Sequence, residues 1–236
     1  MKKTIKKMLG ITAAAALTLS MGSMALIGCG DKGKDYVFEA EDAILGGTAC
    51  VEQKHLWEGV DKLGTGTDVT IVGYLATAGN TVTWKINAAS ACKATLTFTA
   101  ASTVPGEGTQ GGMGWGENGA VWSIKEIDTS KNEVFTVSVN GDNAALSGTL
   151  PGLNENVEVD MSSQEGWMTM MGLYDNGYNN HGTCTAKVNL KEGENTIVLT
   201  IVGQGINLDK LTVKSPAELT FEKTDNSDKV PPQQGQ

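Results

Sequence analysis

Residues 185–202 read Thr-Ala-Lys-Val-Asn-Leu-Lys-Glu-Gly-Glu-Asn-Thr-Ile-Val-Leu-Thr-Ile-Val. Thr185–Leu190 and Asn195–Val202 are rich in the β-branched residues that fit a pleated surface. The four residues between them, Lys191 to Glu194, contain Gly193 and predict a hairpin turn. Outward from this stretch the same signal recurs. Lys93 to Thr99 runs K-A-T-L-T-F-T with period two, and Val82-Thr83-Trp84-Lys85-Ile86 alternates clearly. Glu133 to Asn140 reads EVFTVSVN and meets Gly141. Tyr36 to Glu41 forms an early strand, and Leu208 to Lys214 a last one before Pro216. No segment sustains a helical period, so helix is expected to amount to a single turn at most. Short strands separated by Gly-rich turns predict an all-β chain, a jelly-roll β-sandwich of two antiparallel sheets over 36–215.

Composition agrees. The 236 residues include 30 Gly and only 5 Pro. The 18 basic residues are all Lys, against 27 acids, and four of the Lys fall in the first seven positions. Without residues 1–28 the balance is 14 against 27, a net charge of −13. Such a surface repels phosphate backbones, which excludes nucleic acid as a partner.

The first 28 residues are read as a removable signal. MKKTIKK is a basic start, Met8 to Gly28 carries no charge, and the run ends in Leu26-Ile27-Gly28-Cys29. That ending resembles the lipobox of bacterial lipoprotein signal peptides. The resemblance implies cleavage before Cys29 and lipid attachment to its sulfur, which anchors the protein in the cell envelope or at the cell surface. Residues 29–35 read as a tether and 216–236, ending in DNSDKVPPQQGQ, as a disordered tail. Cys50, Cys92 and Cys184 remain for at most one disulfide, whose pair the sequence does not select.

Two segments interrupt the strand pattern, Thr103 to Gly119 with Trp115, and Met168 to Thr183 with Tyr174, Tyr178 and His181. Both are read as long loops. Gly106, Gly108 and Gly111 match a dinucleotide fingerprint in spacing, but no helix follows to receive the phosphates. His55 and His181 read as exposed bystanders, and no nucleophile–base set is visible. Glu39 and Glu41, two apart on a strand, leave the same face. They could be a solvated face, a hydrolytic pair, or ligands of a hard cation to which Asp209 adds a third carboxylate. Trp84 reads as core. Trp57, Trp115, Trp122, Trp167, Tyr74 and Tyr178 could each cover a loop or offer a ring to a sugar face.

Several pieces in order carry a family resemblance. Phe38-Glu39-Ala40-Glu41, Val72-Gly73-Tyr74-Leu75 with Gly79, Phe98 to Ser102, Gly166-Trp167, Leu190 to Leu199 and Ile206-Asn207-Leu208-Asp209 resemble family 6 carbohydrate-binding modules and their family 35 relatives. The resemblance covers Tyr36 to Lys214. It implies a non-catalytic sandwich with a structural Ca²⁺ held by Glu39, Glu41 and Asp209. It also implies a loop-tip glycan site in which Tyr74 and Trp167 stack on the sugar and Asn207 bonds a hydroxyl, with Gly166-Trp167 a turn before the penultimate hairpin. The segments around Trp115 and after Trp167 depart from the family pattern and could cover, extend or replace that site.

The expectation is therefore a lipid-anchored, non-catalytic glycan-binding protein. Two rivals stand beside it. One is a structural or adhesive surface lipoprotein without sugar binding. The other is a small glycoside hydrolase using Glu39 and Asp209, or Glu158 and Asp160, which needs two carboxyls flanking a sugar-sized cleft.

Overall fold

The computed structural model describes residues 33–57, 66–106, 114–116, 119–157 and 163–232. In chain order the strands are β1 (Lys34–Glu39), β2 (Ile44–Gly46), β3 (Cys50–Trp57), β4 (Gly66–Leu75), β5 (Thr81–Ala88) and β6 (Cys92–Ser102). There follow β7 (Gly114–Gly116), β8 (Gly119–Ile124), β9 (Ile127–Asp128), β10 (Phe135–Val139), β11 (Asp142–Ala144), β12 (Leu146–Leu150) and β13 (Leu153–Val157). After the helix α1 (Gln164–Tyr178) come β14 (His181–Leu190), β15 (Gly193–Ile201), β16 (Ile206–Ser215) and β17 (Leu219–Phe221).

These strands form the expected sandwich of two antiparallel sheets. The larger has the order β3-β4-β16-β6-β14-β12-β9, with β1 also pairing β16. The smaller has the order β11-β10-β15-β5-β17, with β2 also pairing β5. Alternation decides which side chains meet between them. Leu96 and Phe98 of β6 point inward from one sheet, Trp84 and Ile86 of β5 from the other, and all four are fully buried. The rings of Trp84 and Phe98 stand 6.0 Å apart at a tilt. Burying a side chain of that size contributes about 1.5–3 kcal/mol. Trp84 is thus core, as its periodicity predicts.

The opening stretch folds differently from a hairpin. β14 pairs β6 in the larger sheet, whereas β15 pairs β5 and β10 in the smaller one. Residues Lys191 to Glu192 therefore arch from one sheet to the other. The inward residues Ala186 and Leu190 face Ile197 and Leu199 across the core instead of lying beside them. Asn195, with no exposed surface, holds the arch. Its Oδ1 accepts from Lys191 N at 2.9 Å, and its Nδ2 donates to the carbonyls of Lys191 and Gly193 at 2.8 and 2.9 Å. Gly193 sits at φ 85°, where a side chain would be strained.

Three further expectations are corrected. The segment after Trp167 is no loop: α1 runs for 15 residues and β14 begins at His181. Ser163 caps the helix by accepting from Gly166 N at 3.0 Å, and Glu165 complements the dipole in the first turn. Gly166 and Trp167 accordingly lie in the helix and form no turn. The Gly-rich segment contributes β7, which with β8 and β13 makes a small third sheet.

Over residues 217–232 the chain forms a strap rather than the expected tail. β17 pairs β5, Phe221 lies 5.2 Å from Phe38 between ring centroids, and Lys229 O accepts from Val51 N at 2.8 Å. The strap thus runs from the edge of the smaller sheet to β3 in the larger. Apolar Ala217 and Leu219, both buried, anchor a segment that is polar apart from Phe221, Val230 and its prolines. β1 starts at Lys34, inside the expected tether. Residues 1–28 and Cys29 lie outside the described residues. No helix among those described is long and apolar enough to cross a membrane.

Candidate functional site

Two clusters gather most of the residues singled out in the sequence, and both are built by irregularities where β16 pairs its neighbours. Against β4, Ile206 pairs Leu75 and Leu208 pairs Val72, so Asn207 alone faces Gly73 and Tyr74. Against β6, Leu208 pairs Ala100 and Lys210 pairs Thr99, which leaves Asp209 as the extra residue. Such bulges bend a strand and re-aim its side chains.

The first bulge brings Tyr74 next to Asn207. Tyr74 has φ 54°, a left-handed conformation that is an outlier for a bulky residue, and the residue is 37% exposed. Asn207 is only 7% exposed. Its neighbours on the same outward row explain this. Ala101, opposite Asn207, and Ile71 and Cys50 point away from the sandwich core yet are buried, so this end of the larger sheet is covered. α1 packs against β3 and β8 and forms part of that cover. Trp167 belongs to α1, and its side chain lies outside the described ones. Gly73 has no side chain, and the Glu52 carboxylate occupies the space a Cβ would take.

His181 sits in the same row, opposite Ala101. It is no exposed bystander. Burial pushes its imidazole below the ordinary value, partly offset by the Asp209 charge and a hydrogen bond to the Asn179 backbone, while its Nε2 is buried without a hydrogen-bond partner. Sequence reading missed it because a strand start after Asn179-Asn180 looks like loop. His55 is likewise partnered, its Nδ1 lying 2.8 Å from Asp68 Oδ1 across β3 and β4.

The second cluster is acidic. Glu39 ends β1 opposite Lys210, and Glu41 and Asp42 occupy the 3₁₀ turn that follows. Lys210 Nζ lies 2.8 Å from Asp209 Oδ2, and Lys223 of the strap lies 2.6 Å from Asp42 Oδ2. Burial raises the Glu39 carboxyl above 4.5. Lys210 opposes this and Asp209 and Asp42 add to it. Burial also raises Glu41, where Glu39, Asp42 and Asp209 all push in the same direction. Glu41 Oε2 is buried with no hydrogen-bond partner. Four carboxylates against two ammonium groups leave two negative charges uncompensated, which suits one divalent cation. As the side chains stand, no three His, Cys, Asp or Glu among the described residues close around a point that would enclose an ion. The orphaned Glu41 oxygen and the mutual repulsion are what fit a hard cation here.

The three cysteines Cys50, Cys92 and Cys184 are free. Burial raises the thiols of Cys50 and Cys184 to about 11 and about 12, which keeps them protonated and unreactive at neutral pH. Of the rival hydrolytic pairs, Glu158 and Asp160 lie outside the described residues, and Asp209 is engaged by Lys210.

No protein-family model matches the sequence, and no curated protein matches it. Solved structures do. A family 35 carbohydrate-binding module from Clostridium thermocellum is similar at 18% identity and a TM-score of 0.41, over 76% of this chain and 97% of that one. A family 35 module from Cellvibrio japonicus gives 15% and 0.39, over 81% and 100%. The C-terminal family 6 module of a marine laminarinase from Zobellia galactanivorans gives 14% and 0.40, over 77% and 99%.

Proposed function

We propose that the protein is a non-catalytic glycan-binding module, stabilised by Ca²⁺ and held at the cell surface by a lipid on Cys29. The observation that carries the reading is the juxtaposition of Tyr74 and Asn207 across one bulge at the end of the larger sheet. Tyr74 offers an exposed ring on a rigid strand end, the arrangement that stacks on the apolar face of a pyranose, and Asn207 supplies an amide beside it. Trp167 is the second stacking ring of this reading. A lipid tether places many weak sites on one surface, where they act multivalently.

In this reading Ca²⁺ is held by Glu39, Glu41 and Asp209, and bound there it would neutralise their mutual repulsion and tie the first strand to β16. Those residues do nothing to a glycosidic bond. They fix the first loop against β16, the strand that carries Asn207.

A specific observation favours a second reading. Asn207 is almost fully buried, so the cover over this end can also mean a structural or adhesive surface protein without a sugar site. A glycan array decides between them. Binding that Tyr74→Ala and Trp167→Ala each weaken three- to tenfold supports the module, and no binding at millimolar glycan leaves the adhesive reading. Cys29→Ser tests the anchor: it should leave an unlipidated precursor that retains residues 1–28, and a normally processed, membrane-held protein from that variant would refute the anchor.

A further inference from the structure

Tyr74 keeps its left-handed backbone through side chains from two other segments. Asn80, 3% exposed, donates from Nδ2 to the Tyr74 carbonyl at 2.8 Å and to Thr48 Oγ1 at 2.8 Å. Thr48 Oγ1 donates in turn to the same carbonyl at 3.2 Å, and Thr48 N donates to Asn80 Oδ1 at 3.2 Å. The result is a closed ring of bonds in which every polar atom of the Asn80 side chain is used. Gly47, at φ 71°, leaves the space into which Asn80 Oδ1 fits, since a Cβ there would collide with it.

The ring is bolted to the opposite sheet. Asn80 O accepts from Ile201 N at 2.9 Å, and Gly79 N donates to Ile201 O at 2.8 Å. Ile201 is the buried last residue of β15. The turn between β2 and β3 and the turn between β4 and β5 therefore meet at the Tyr74 carbonyl, and the end of β15 holds the second of these turns. A rare backbone conformation persists only where its surroundings over-determine it, and such outliers gather at ligand sites.

We infer that Asn80, with Thr48, is a positioning residue that locks Tyr74 in the left-handed conformation and so fixes the ring as a binding platform. This rests on the glycan reading for what the platform binds, but the lock itself is a property of the backbone. Without it the Tyr74 peptide relaxes to an extended conformation, the bulge opposite Asn207 changes, and the ring leaves its place beside Asn207.

The full chain, Asn80→Ala, Thr48→Val and Tyr74→Ala are compared by NMR and by titration with soluble hexasaccharides of β-1,4-linked xylose, mannose and glucose. Thr48→Val keeps the buried amide and guards against a folding defect in Asn80→Ala. A left-handed residue gives an intense cross-peak between its own amide and Hα protons. Expected are a drop of that cross-peak to the ordinary intensity of an extended residue for Tyr74 in Asn80→Ala, at least fivefold weaker binding, and less than a twofold effect of Asn80→Ala once Tyr74 is already Ala. An undiminished cross-peak in both clamp variants overturns the inference. So does an equal loss of affinity with and without the Tyr74 ring, which a merely structural role would produce. Should the parent bind none of the three sugars while the cross-peak still weakens in Asn80→Ala, the lock stands and the glycan reading alone falls.

Discussion

The side chain of Asn226 donates to the carbonyl of Glu41 at 2.7 Å, across 185 positions of sequence. The same nitrogen donates to the Ala43 carbonyl at 2.7 Å, while Thr224 N donates to the carbonyl of Asp42 between them at 2.8 Å. Three successive carbonyls of the acidic turn are thus satisfied by the strap, and Lys223 pairs the Asp42 side chain. The two ends of the described chain hold each other in place.

Asn226→Ala should therefore destabilise the whole sandwich. It leaves two carbonyls without a protein donor, at a cost of about 1–3 kcal/mol. For a domain of this size that lowers Tm by roughly 2–12 °C, read by calorimetry. An unchanged Tm would mean the strap is only loosely laid on the surface.

The arch at Lys191 makes a second, independent demand. Asn195 Oδ1 also accepts from Asn140 Nδ2 at 2.9 Å, so Asn195→Ala removes four bonds from a fully buried site. A loss of about 3 kcal/mol is expected, since buried partners are left unpaired. Urea unfolding should show a lower midpoint with an unchanged slope. A shift below about 0.5 kcal/mol, the size of an ordinary surface substitution, would refute the role given to Asn195.

Strand positions were legible because a half-buried strand writes its alternation directly into the chain, as Lys93 to Thr99 does. Pairing partners were not. Ala186 to Leu190 and Asn195 to Ile201 show the same period whether they lie side by side or face each other, so a turn and an arch look alike. α1 was hidden by Gly166, Gly172 and Gly177, which lower helical propensity, while its stability comes from packing on β3 and β8. The strap reads as a polar tail because only Ala217, Leu219, Phe221 and Val230 are apolar besides its prolines, and most of its attachment runs through backbone groups and Asn226. Tyr74 was reached through resemblance, whereas nothing local in the sequence marks Asn80 as its clamp: the two join sheet ends that only the fold brings together.

Tyr74 gives a third test, free of any ligand. At φ 54° a Cβ is penalised and glycine is not. Tyr74→Gly should be more stable than Tyr74→Ala by about 1 kcal/mol, inverting the usual order in which glycine is the worse residue. Both variants lose the ring, so the comparison isolates the backbone. Equal stability of the two would show that position 74 is not left-handed in solution.

The acidic turn yields a prediction whose sign depends on the cation. Burial and neighbouring charge hold Glu39 and Glu41 above 4.5, so the folded chain keeps protons that the unfolded chain has already released. Unfolding then releases protons, and in chelator the contribution of these two groups to stability falls as pH rises from about 4.5 through their raised values. Ca²⁺ requires the ionised carboxylates, so saturating calcium should reverse that slope over the same window. At a hundredfold excess over Kd the cation adds about 2.7 kcal/mol at the upper end. Urea unfolding at pH 5 and pH 7, each with chelator and with calcium, reads all four corners. Glu41→Gln removes the carboxylate whose Oε2 has no hydrogen-bond partner and should help in chelator, where repulsion is relieved, yet lose most of the gain from calcium. Superimposed curves with chelator and with calcium at pH 7 would refute the metal, and the two lysines, Lys210 and Lys223, would then be the counterions of the turn.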